Sequence, residues 1–477
     1  MAEVPQEHEC AWRDETVQLR AEVDDLKAQL AALQRVVFGR KSEKLPTPAQ
    51  ELRRQGRRAD PAKTQATRAQ RRAQKAALPE ERIEHPVSPE QCVCPKCGSE
   101  ELSPLGQPEE QTIYERVPEH FVRHVHVLQK LACRCGEYVV TAPGPRRVAE
   151  QTSYGPGLIA HLVVSKCADS TPFYRLEKAC KRSGMPLSRS TMVDLFHRAA
   201  VELTPIYVAL MLYIAGHEVV QADETTLKMQ TKTSKGWVWT FLVQGAIGYH
   251  FASSRSGRTP LEVLGGTAGT LVVDAYSGYN YVCTPEQRER AGCLAHARRK
   301  LFDAREMAPE EVPVALGLIL DVYRVEHDAR ADGIVGSKTH LALRQAHARP
   351  AMDALHTWLL EHEPKWPPKS KLGRAVRYAL KQWPALTVFL GDAAVPVDNN
   401  ASERALRVIA LGRKNFLFVG HAEAGQNTAM LYSLVASCEA NGINPEAYLA
   451  DVLLRVQTHP AARIGELLPH RWKHASA

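Results

Sequence analysis

Three acidic residues that lie far apart in the chain are the strongest candidates for chemistry: Asp223, Asp274 and Glu403. Asp223 and Asp274 each end a short run of β-branched and apolar residues, which predicts a buried strand, and Glu403 opens a helical pattern. Carboxylates at the rim of an α/β sheet repel one another unless hard cations lie between them. A pair of Mg²⁺ or Mn²⁺ ions about 3.5–4 Å apart can activate an attacking oxygen and stabilise a leaving one. We therefore predict metal-dependent phosphoryl transfer on nucleic acid.

Three neighbouring residues are weaker candidates for the same site. Glu224 is the rival of Asp223, but adjacent side chains on a strand point to opposite faces, so we favour Asp223. Cys293 and His296 have a Cys-x-x-His spacing that could contribute to a metal site, although two residues do not complete one. We expect both to support the orientation of the active site or of DNA.

A cysteine cluster precedes this region and predicts a structural zinc site. Two knuckles of closely spaced cysteines, each followed by glycine, can bring four thiolates onto one tetrahedral ion as in a zinc ribbon. The predicted ligands are Cys94, Cys97, Cys133 and Cys135, and Cys92 could replace one of them. With all four positions taken by protein, no position is left for a substrate.

Basic residues near these motifs are candidates for phosphate contacts, with ordinary surface ion pairs as the alternative. The N-terminal residues of a helix-turn-helix-like segment could also contact DNA, although pure packing would suit that segment as well. The candidates are Arg189, Ser190, Thr191, Arg298, Arg299, Lys300, Arg404, Arg407, Arg413 and Lys414.

The elements that must position these residues form a multidomain α/β chain. At 477 residues the chain is too long for one ordinary domain, and its net charge of +8 favours a polyanionic partner. A heptad pattern predicts a coiled coil, which favours a homo-oligomer, or else an amphipathic helix docked on its own chain. The basic segment that follows predicts a disordered arm that attracts phosphate, or a solvated linker. The predicted order is coiled coil 10–39, basic arm 40–85, zinc ribbon 86–142, helical DNA-binding region 152–214, first part of the catalytic core 215–303, helical insertion 304–394, core helix with the third acidic residue 395–430, and C-terminal helical region 431–477.

The most apolar stretch, residues 203–220, contains Pro205 and His217 and predicts a buried helix entering a strand rather than a membrane span. The N-terminus lacks the apolar core of a secretory signal. The cysteine count of 11 therefore indicates thiols or metal ligands rather than disulfides. We expect a soluble, intracellular protein.

Taken together, several motifs resemble the large transposase of bacterial insertion sequences of the sixty-six family, a DDE-type enzyme. The resemblance covers nearly the whole chain, and it departs from the family pattern in the short Cys133-x-Cys135 spacing and at Val408, where proline is expected. The matching motifs are Leu33 to Lys44, the cysteine cluster, Ser165-Lys166 through Ser190-Thr191, Ala222-Asp223-Glu224-Thr225, Asp274 to Asn280, Cys293 to Lys300, Asp398 to Gly420, Tyr432-Ser433-Leu434 and Asn444 to Leu449.

The resemblance implies that Asp223, Asp274 and Glu403 are a catalytic triad in a ribonuclease-H-like domain interrupted by a helical insertion. It also implies binding to element ends and target DNA in the bacterial cytoplasm, near the nucleoid, with small accessory proteins as further partners. Two alternatives remain open: a non-catalytic zinc-ribbon DNA-binding regulator, and a ribonuclease-H-like nuclease that stops at hydrolysis.

Overall fold

The computed structural model describes residues 152–230 and 235–473, with residues 144–149, two short strands and a few isolated positions before them. The short strands, β1 (Lys130–Ala132) and β2 (Val139–Thr141), pair antiparallel. Cys133 and Cys135 fall between them in sequence. The predicted coiled coil and four zinc ligands lie outside the described residues, as does the predicted basic arm apart from Gln65, Ala69 and Ala73.

A mixed sheet of five strands carries the candidate site. Its strands are β3 (Val219–Lys228), β4 (Lys235–Val243), β5 (Ala246–Ala252), β6 (Gly269–Val272) and β7 (Arg288–Ala291). The order across the sheet is β5-β4-β3-β6-β7. The first three strands form an antiparallel meander, whereas β3, β6 and β7 are parallel.

Two strand boundaries differ from the sequence prediction. Asp223 does not end its strand, because β3 continues to Lys228 through antiparallel pairing with β4. The run Gly292 to Phe302, which from the sequence predicts a strand entering a basic helix, begins only after the strand, since β7 ends at Ala291. The end of β3 and most of β7 consist of polar residues. A search for apolar runs could not identify these residues as strand.

Helices cover the sheet and bury its core. Before the sheet come α1 (Pro156–Cys167), α2 (Phe173–Arg182) and α3 (Arg189–Ala215). Gly184, with φ of 83°, follows the end of α2, and the Ser188 hydroxyl caps α3 by accepting from the Thr191 N–H at 3.2 Å. The sequence predicts both features, since Gly184 can end a helix and Ser188 can cap the next one, and both predictions are confirmed.

Within the described residues, α3 alone is long and apolar enough to span a membrane. Leu203, Ile206, Leu210 and Ile214 along it are fully buried in the core of the protein. The helix therefore behaves as a core helix, as the sequence predicted.

Between β5 and β6 lies the short helix α4 (Arg258–Leu264), and a helical segment follows β7. It comprises α5 (Leu294–Asp303), α6 (Val312–Ala331), α7 (Lys338–Leu343), α8 (Arg349–His362), α9 (Lys371–Lys381) and α10 (Trp383–Thr387). These helices form a second hydrophobic core that also includes Val272 and Ala291 of the sheet. The helical character predicted for this stretch is confirmed.

A buried ion pair ties this helical segment to the chain that leads to Glu403. Arg344 donates to Glu326 from Nε at 2.7 Å and from Nη2 at 3.0 Å. Its Nη1 donates to the carbonyl oxygens of Phe389, Asp392 and Val395 at 2.8–2.9 Å. The guanidinium thus anchors the polypeptide just before the third acidic residue.

The last helices are α11 (Asn400–Ala405), α12 (Arg407–Phe416), α13 (Ala422–Ala440) and α14 (Pro445–Arg455). Helix α13 packs on β5, where the hydroxyls of Ser433 and Ser437 accept from strand N–H groups at 2.7 and 2.9 Å. Helix α11, which carries Glu403, contacts the same sheet, because the Tyr249 hydroxyl on β5 donates to the Ala405 carbonyl oxygen at 2.7 Å.

Candidate active site

The parallel pairing of β3 and β6 brings the two aspartates together. Their ladder ends with Gln221 opposite Val272. Extending the same register by two residues sets Asp223 beside Asp274, and registered residues on neighbouring parallel strands face the same side of a sheet. On this side of β3 the edge of the sheet lies where pairing with β6 ends, after Gln221. On its other side β3 stays paired with β4 as far as Lys228.

The carboxyl group of Asp223 lies in a strongly acidic environment. Its pKa is raised to about 7, mainly by burial and also by the negative charges of Glu224, Asp274 and Glu403. The Glu224 N–H, which donates to Asp223 Oδ1 at 2.8 Å, acts in the opposite direction. Asp274 and Glu403 are therefore both within electrostatic range of Asp223.

Asp274 lies on the turn that follows β6. Its Oδ1 accepts from the Tyr276 N–H at 2.9 Å, so the side chain caps its own turn. Arg290 on β7 donates to the carbonyl oxygens of Asp274 and Tyr276, the latter at 2.8 Å. This turn is thus fixed on both sides.

Asn399 joins the helix of Glu403 to the strand of Asp223. Its Nδ2 donates to the Ala222 carbonyl oxygen at 2.7 Å, and its backbone N–H donates to Cys293 Sγ at 3.2 Å. Its carbonyl oxygen accepts from the Ser402 hydroxyl at 2.8 Å. Sequence reasoning missed this role. The only signal was the Asp-Asn-Asn triplet ahead of the helix.

His296 and Arg299 on α5 hold the carboxylate of Glu403. His296 Nε2 is 3.7 Å from Glu403 Oε1, and Arg299 Nη2 is 3.8 Å from Oε2. His296 Nδ1 is buried and has no hydrogen-bond partner within the described residues. The predicted supporting role of His296 has a geometric basis in this contact.

Cys293 is the buried N-cap residue of α5, and its side chain makes no capping hydrogen bond to the helix. Burial raises the pKa of its thiol to about 12, so the sulfur is neutral at ordinary pH and accepts the N–H of Asn399. The contact suits a residue that orients the loop of Glu403.

The side chain of Glu224 does not join the acidic cluster of Asp223 but contacts Arg255 and Tyr279. Its side chain is only 1% exposed and accepts from Arg255 Nε at 2.8 Å and from the Tyr279 hydroxyl at 2.5 Å. Burial raises its pKa, whereas these two donors lower it. Of the two adjacent carboxylates, Asp223 is thus the one without a guanidinium bound to it.

The candidate phosphate contacts fall into different environments. Arg298 is buried, and Arg413 donates to Thr226 O at 2.7 Å and to the hydroxyls of Thr225 and Thr226, which fastens α12 to β3. The Lys300 ammonium lies 4.7 Å from the centre of the Tyr378 ring. Three other basic residues on α11 and α12 are exposed: Arg404, Arg407 and Lys414.

At the start of α3, Arg189 is exposed and lies 3.0 Å from Glu177 Oε2. Ser190 is exposed as well, and both its hydroxyl and that of Thr191 bond to Ser188. The structure therefore leaves Arg189 and Ser190 accessible on the first turn, while Thr191 takes part in the cap.

The donor set of the acidic site fits hard divalent cations. Carboxylate oxygens are the ligands that Mg²⁺ and Mn²⁺ prefer, and a cation would offset both the burial and the repulsion that raise the pKa of Asp223. Across 152–230 and 235–473, however, no group of three or more His, Cys, Asp or Glu side chains is close enough to hold a metal. In the described part of the chain, the three carboxylates therefore do not form a ready-made metal site.

Comparison with protein families gives three consecutive matches along the chain. Residues 151–427 match the transposase IS66 family, and residues 433–470 match the IS66 C-terminal element. Residues 91–136 match the zinc-finger binding domain of transposase IS66. The last range includes all four cysteines predicted to bind zinc.

Curated relatives from Sinorhizobium fredii (strain NBRC 101917 / NGR234) are similar over most of their length. The uncharacterized protein y4hP is 31% identical over 417 residues, which cover 82% of this chain and 74% of that protein. The uncharacterized protein y4jD is 31% identical over 496 residues, which cover 96% of each.

Proposed function

The chain belongs to the IS66 family of transposases, and we propose that it is a DDE-type enzyme that cuts and joins DNA with two divalent metal ions at Asp223, Asp274 and Glu403. The observation that supports this proposal is the parallel register of β3 and β6, which ends two residues before each aspartate, together with the effect of the Asp274 charge on Asp223. The negative charge of Glu403 acts on Asp223 from a helix far along the chain.

The sheet supports a ribonuclease-H-like core. Three antiparallel strands are followed by two parallel ones in the order β5-β4-β3-β6-β7, with the helical segment inserted between the second and third acidic residues. Such a core places carboxylates from two neighbouring strands and one helix at one rim.

In the proposed reaction, water hydrolyses the phosphodiester at the element end and frees a 3′-hydroxyl. That hydroxyl then attacks a target phosphodiester in line, and the displaced 3′-oxygen leaves with no covalent enzyme intermediate. Bound Mg²⁺ or Mn²⁺ would supply activation of the attacking oxygen and neutralisation of charge on the phosphate.

The residues of this chain position the reactants. Asp223 must lose its proton to act as a ligand, and Asp274 is held for that role by its turn. His296 and Arg299 hold Glu403 at the edge of the site. The exposed cations Arg404, Arg407 and Lys414 would attract the phosphates of the DNA strand.

DNA binding outside the active site is assigned to three regions. We propose that Cys94, Cys97, Cys133 and Cys135 hold a structural zinc ion, since the zinc-finger match spans them. Arg189 and Ser190 at the exposed start of α3 are the helix-turn-helix candidates. The basic segment would add non-specific attraction, and the heptad segment would join copies of the chain.

Cleavage of DNA carrying the element's terminal repeats tests the proposal. With Mg²⁺, the wild-type chain should nick the end and transfer a pre-cut end to target DNA. Asp223→Ala, Asp274→Ala and Glu403→Ala should each bind the DNA without cutting it, whereas Glu289→Ala, at an exposed position of β7, should cut normally. Hydrolysis without strand transfer would favour a nuclease, and efficient cutting by Glu403→Ala would refute its place in the triad.

A further inference from the structure

The β3–β6 ladder stops two residues before each aspartate, so another set of contacts must hold the aspartates at a fixed separation. Glu224 supplies those contacts. It follows Asp223 directly, and its backbone N–H donates to Asp223 Oδ1 at 2.8 Å. The position of Glu224 therefore determines where the carboxyl group of Asp223 lies.

The side chain of Glu224 reaches the turn of Asp274 through Tyr279. The Tyr279 hydroxyl donates to Glu224 Oε2 at 2.5 Å from the 3₁₀ turn Ser277–Tyr281 that follows Asp274. The Tyr279 ring is fully buried and packs edge-on against Trp239, with ring centres 5.7 Å apart. One hydrogen bond therefore links the strand of Asp223 to the turn of Asp274.

A second link runs through Arg255. It donates to Glu224 Oε1, and its guanidinium lies over the Tyr276 ring at 3.9 Å. The Tyr276 hydroxyl donates to the Arg255 carbonyl oxygen at 2.6 Å, and the Tyr276 N–H donates to Asp274 Oδ1. These contacts thus form a continuous chain from Asp223 through Glu224, Arg255 and Tyr276 to Asp274.

We propose that Glu224 is a positioning residue that sets the spacing of Asp223 and Asp274, and that Tyr279 and Arg255 are the two groups through which it acts. Arg255 also neutralises the carboxylate of Glu224, so that this fourth acidic group does not compete for the cations. The inference rests on the proposed function, because the spacing matters only if both aspartates bind metal.

Tyr279→Phe is the sharpest test, since it removes one hydroxyl and keeps the ring against Trp239. Its matched control is Tyr281→Phe in the same 3₁₀ turn, where the side chain is 57% exposed. Glu224→Gln removes the charge that pairs with Arg255 while keeping the size of the side chain. Mn²⁺ binding to the full chain without DNA is measured by calorimetry, and the signal lost in Asp223→Ala defines this site.

We expect Mn²⁺ affinity to fall about tenfold or more in Tyr279→Phe and in Glu224→Gln, because groups that orient metal ligands typically contribute that much. The Mn²⁺ concentration for half-maximal cleavage should rise in parallel, whereas Tyr281→Phe should match the wild type. Lower melting temperatures with unchanged Mn²⁺ affinity would show a purely structural role and overturn the inference. If the wild type cuts DNA but Tyr279→Phe binds Mn²⁺ equally well, the inference alone fails; if the wild type neither binds Mn²⁺ nor cuts, the proposed function fails with it.

Discussion

Replacing Asp223 by Asn should stabilise the metal-free protein while abolishing catalysis. The folded protein holds this carboxyl group in a buried, negatively charged environment that raises its pKa from 3.8 to about 7. At pH 8 the group must be ionised in both the folded and the unfolded chain, so the folded state carries an unfavourable charge. Asparagine removes that charge and keeps an oxygen for the Glu224 N–H.

The size of the effect follows from the pKa difference. Each pKa unit corresponds to about 1.4 kcal/mol, so a difference of about three gives roughly 4 kcal/mol as an upper bound at pH 8. Solvent screening and relaxation reduce this, and we expect about 2 kcal/mol, or a rise in Tm of about 3 °C for a domain of this size.

The raised pKa also determines how the stability difference between Asp223→Asn and the wild type changes with pH. A raised folded-state pKa favours the protonated form, so this stabilising contribution is complete below pH 4 and is lost as the pH rises to about 7. The stability gap between Asp223→Asn and the wild type should therefore be small at pH 4, about a third of its full size at pH 5, and constant above pH 8.

Thermal unfolding in EDTA, followed by fluorescence across this pH range, measures the gap. Asp321→Asn is the control, because Asp321 is a half-exposed member of a surface pair with Arg324 and its loss should change stability little. Added Mg²⁺ should raise the Tm of the wild type and leave Asp223→Asn unchanged. Equal stability of the two proteins at pH 8 without metal, or a gap independent of pH, would refute this reasoning.

Three further outcomes are expected. Asn399→Ala removes the Nδ2 contact with the β3 carbonyl oxygen and should slow cleavage at least tenfold while DNA binding by fluorescence anisotropy stays intact; unchanged cleavage would show that Asn399 does not position Glu403. Arg407→Ala and Lys414→Ala should each weaken DNA binding uniformly across sequences and reduce the slope of log K against log salt by about one, and an unchanged slope would exclude a phosphate contact. Arg344→Leu should destabilise the protein by about 3–5 kcal/mol in urea unfolding, because it removes the guanidinium from the buried Glu326 and leaves only His340 beside it, and a loss below about 1 kcal/mol would contradict the buried-pair assignment.

Local signals in the sequence were sufficient to predict several strands of the sheet and the start of α3. The runs Trp237–Val243, Gly248–Ser253 and Thr270–Asp274 predict β4, β5 and β6 from the sequence, and Ser188 marks the start of α3 through its capping hydroxyl. The two aspartates were found because each follows such a run. These signals depend on near neighbours in the chain.

The features that the sequence did not reveal depend on distant partners. β7 has the polar sequence Arg-Glu-Arg-Ala, and Arg288 is buried there because its guanidinium donates to the carbonyl oxygens of Ala215 and His217 at the end of α3. The contacts of Glu224 and Asn399 likewise join segments separated by 55 and 177 residues. No local pattern contains such pairings.

The buried Arg344–Glu326 pair makes completion of the acidic site depend on the helices that precede Glu403. A chain interrupted within those helices would lack the anchor that delivers the third carboxylate, and its sheet would lose the packing of Val272 and Ala291 against them.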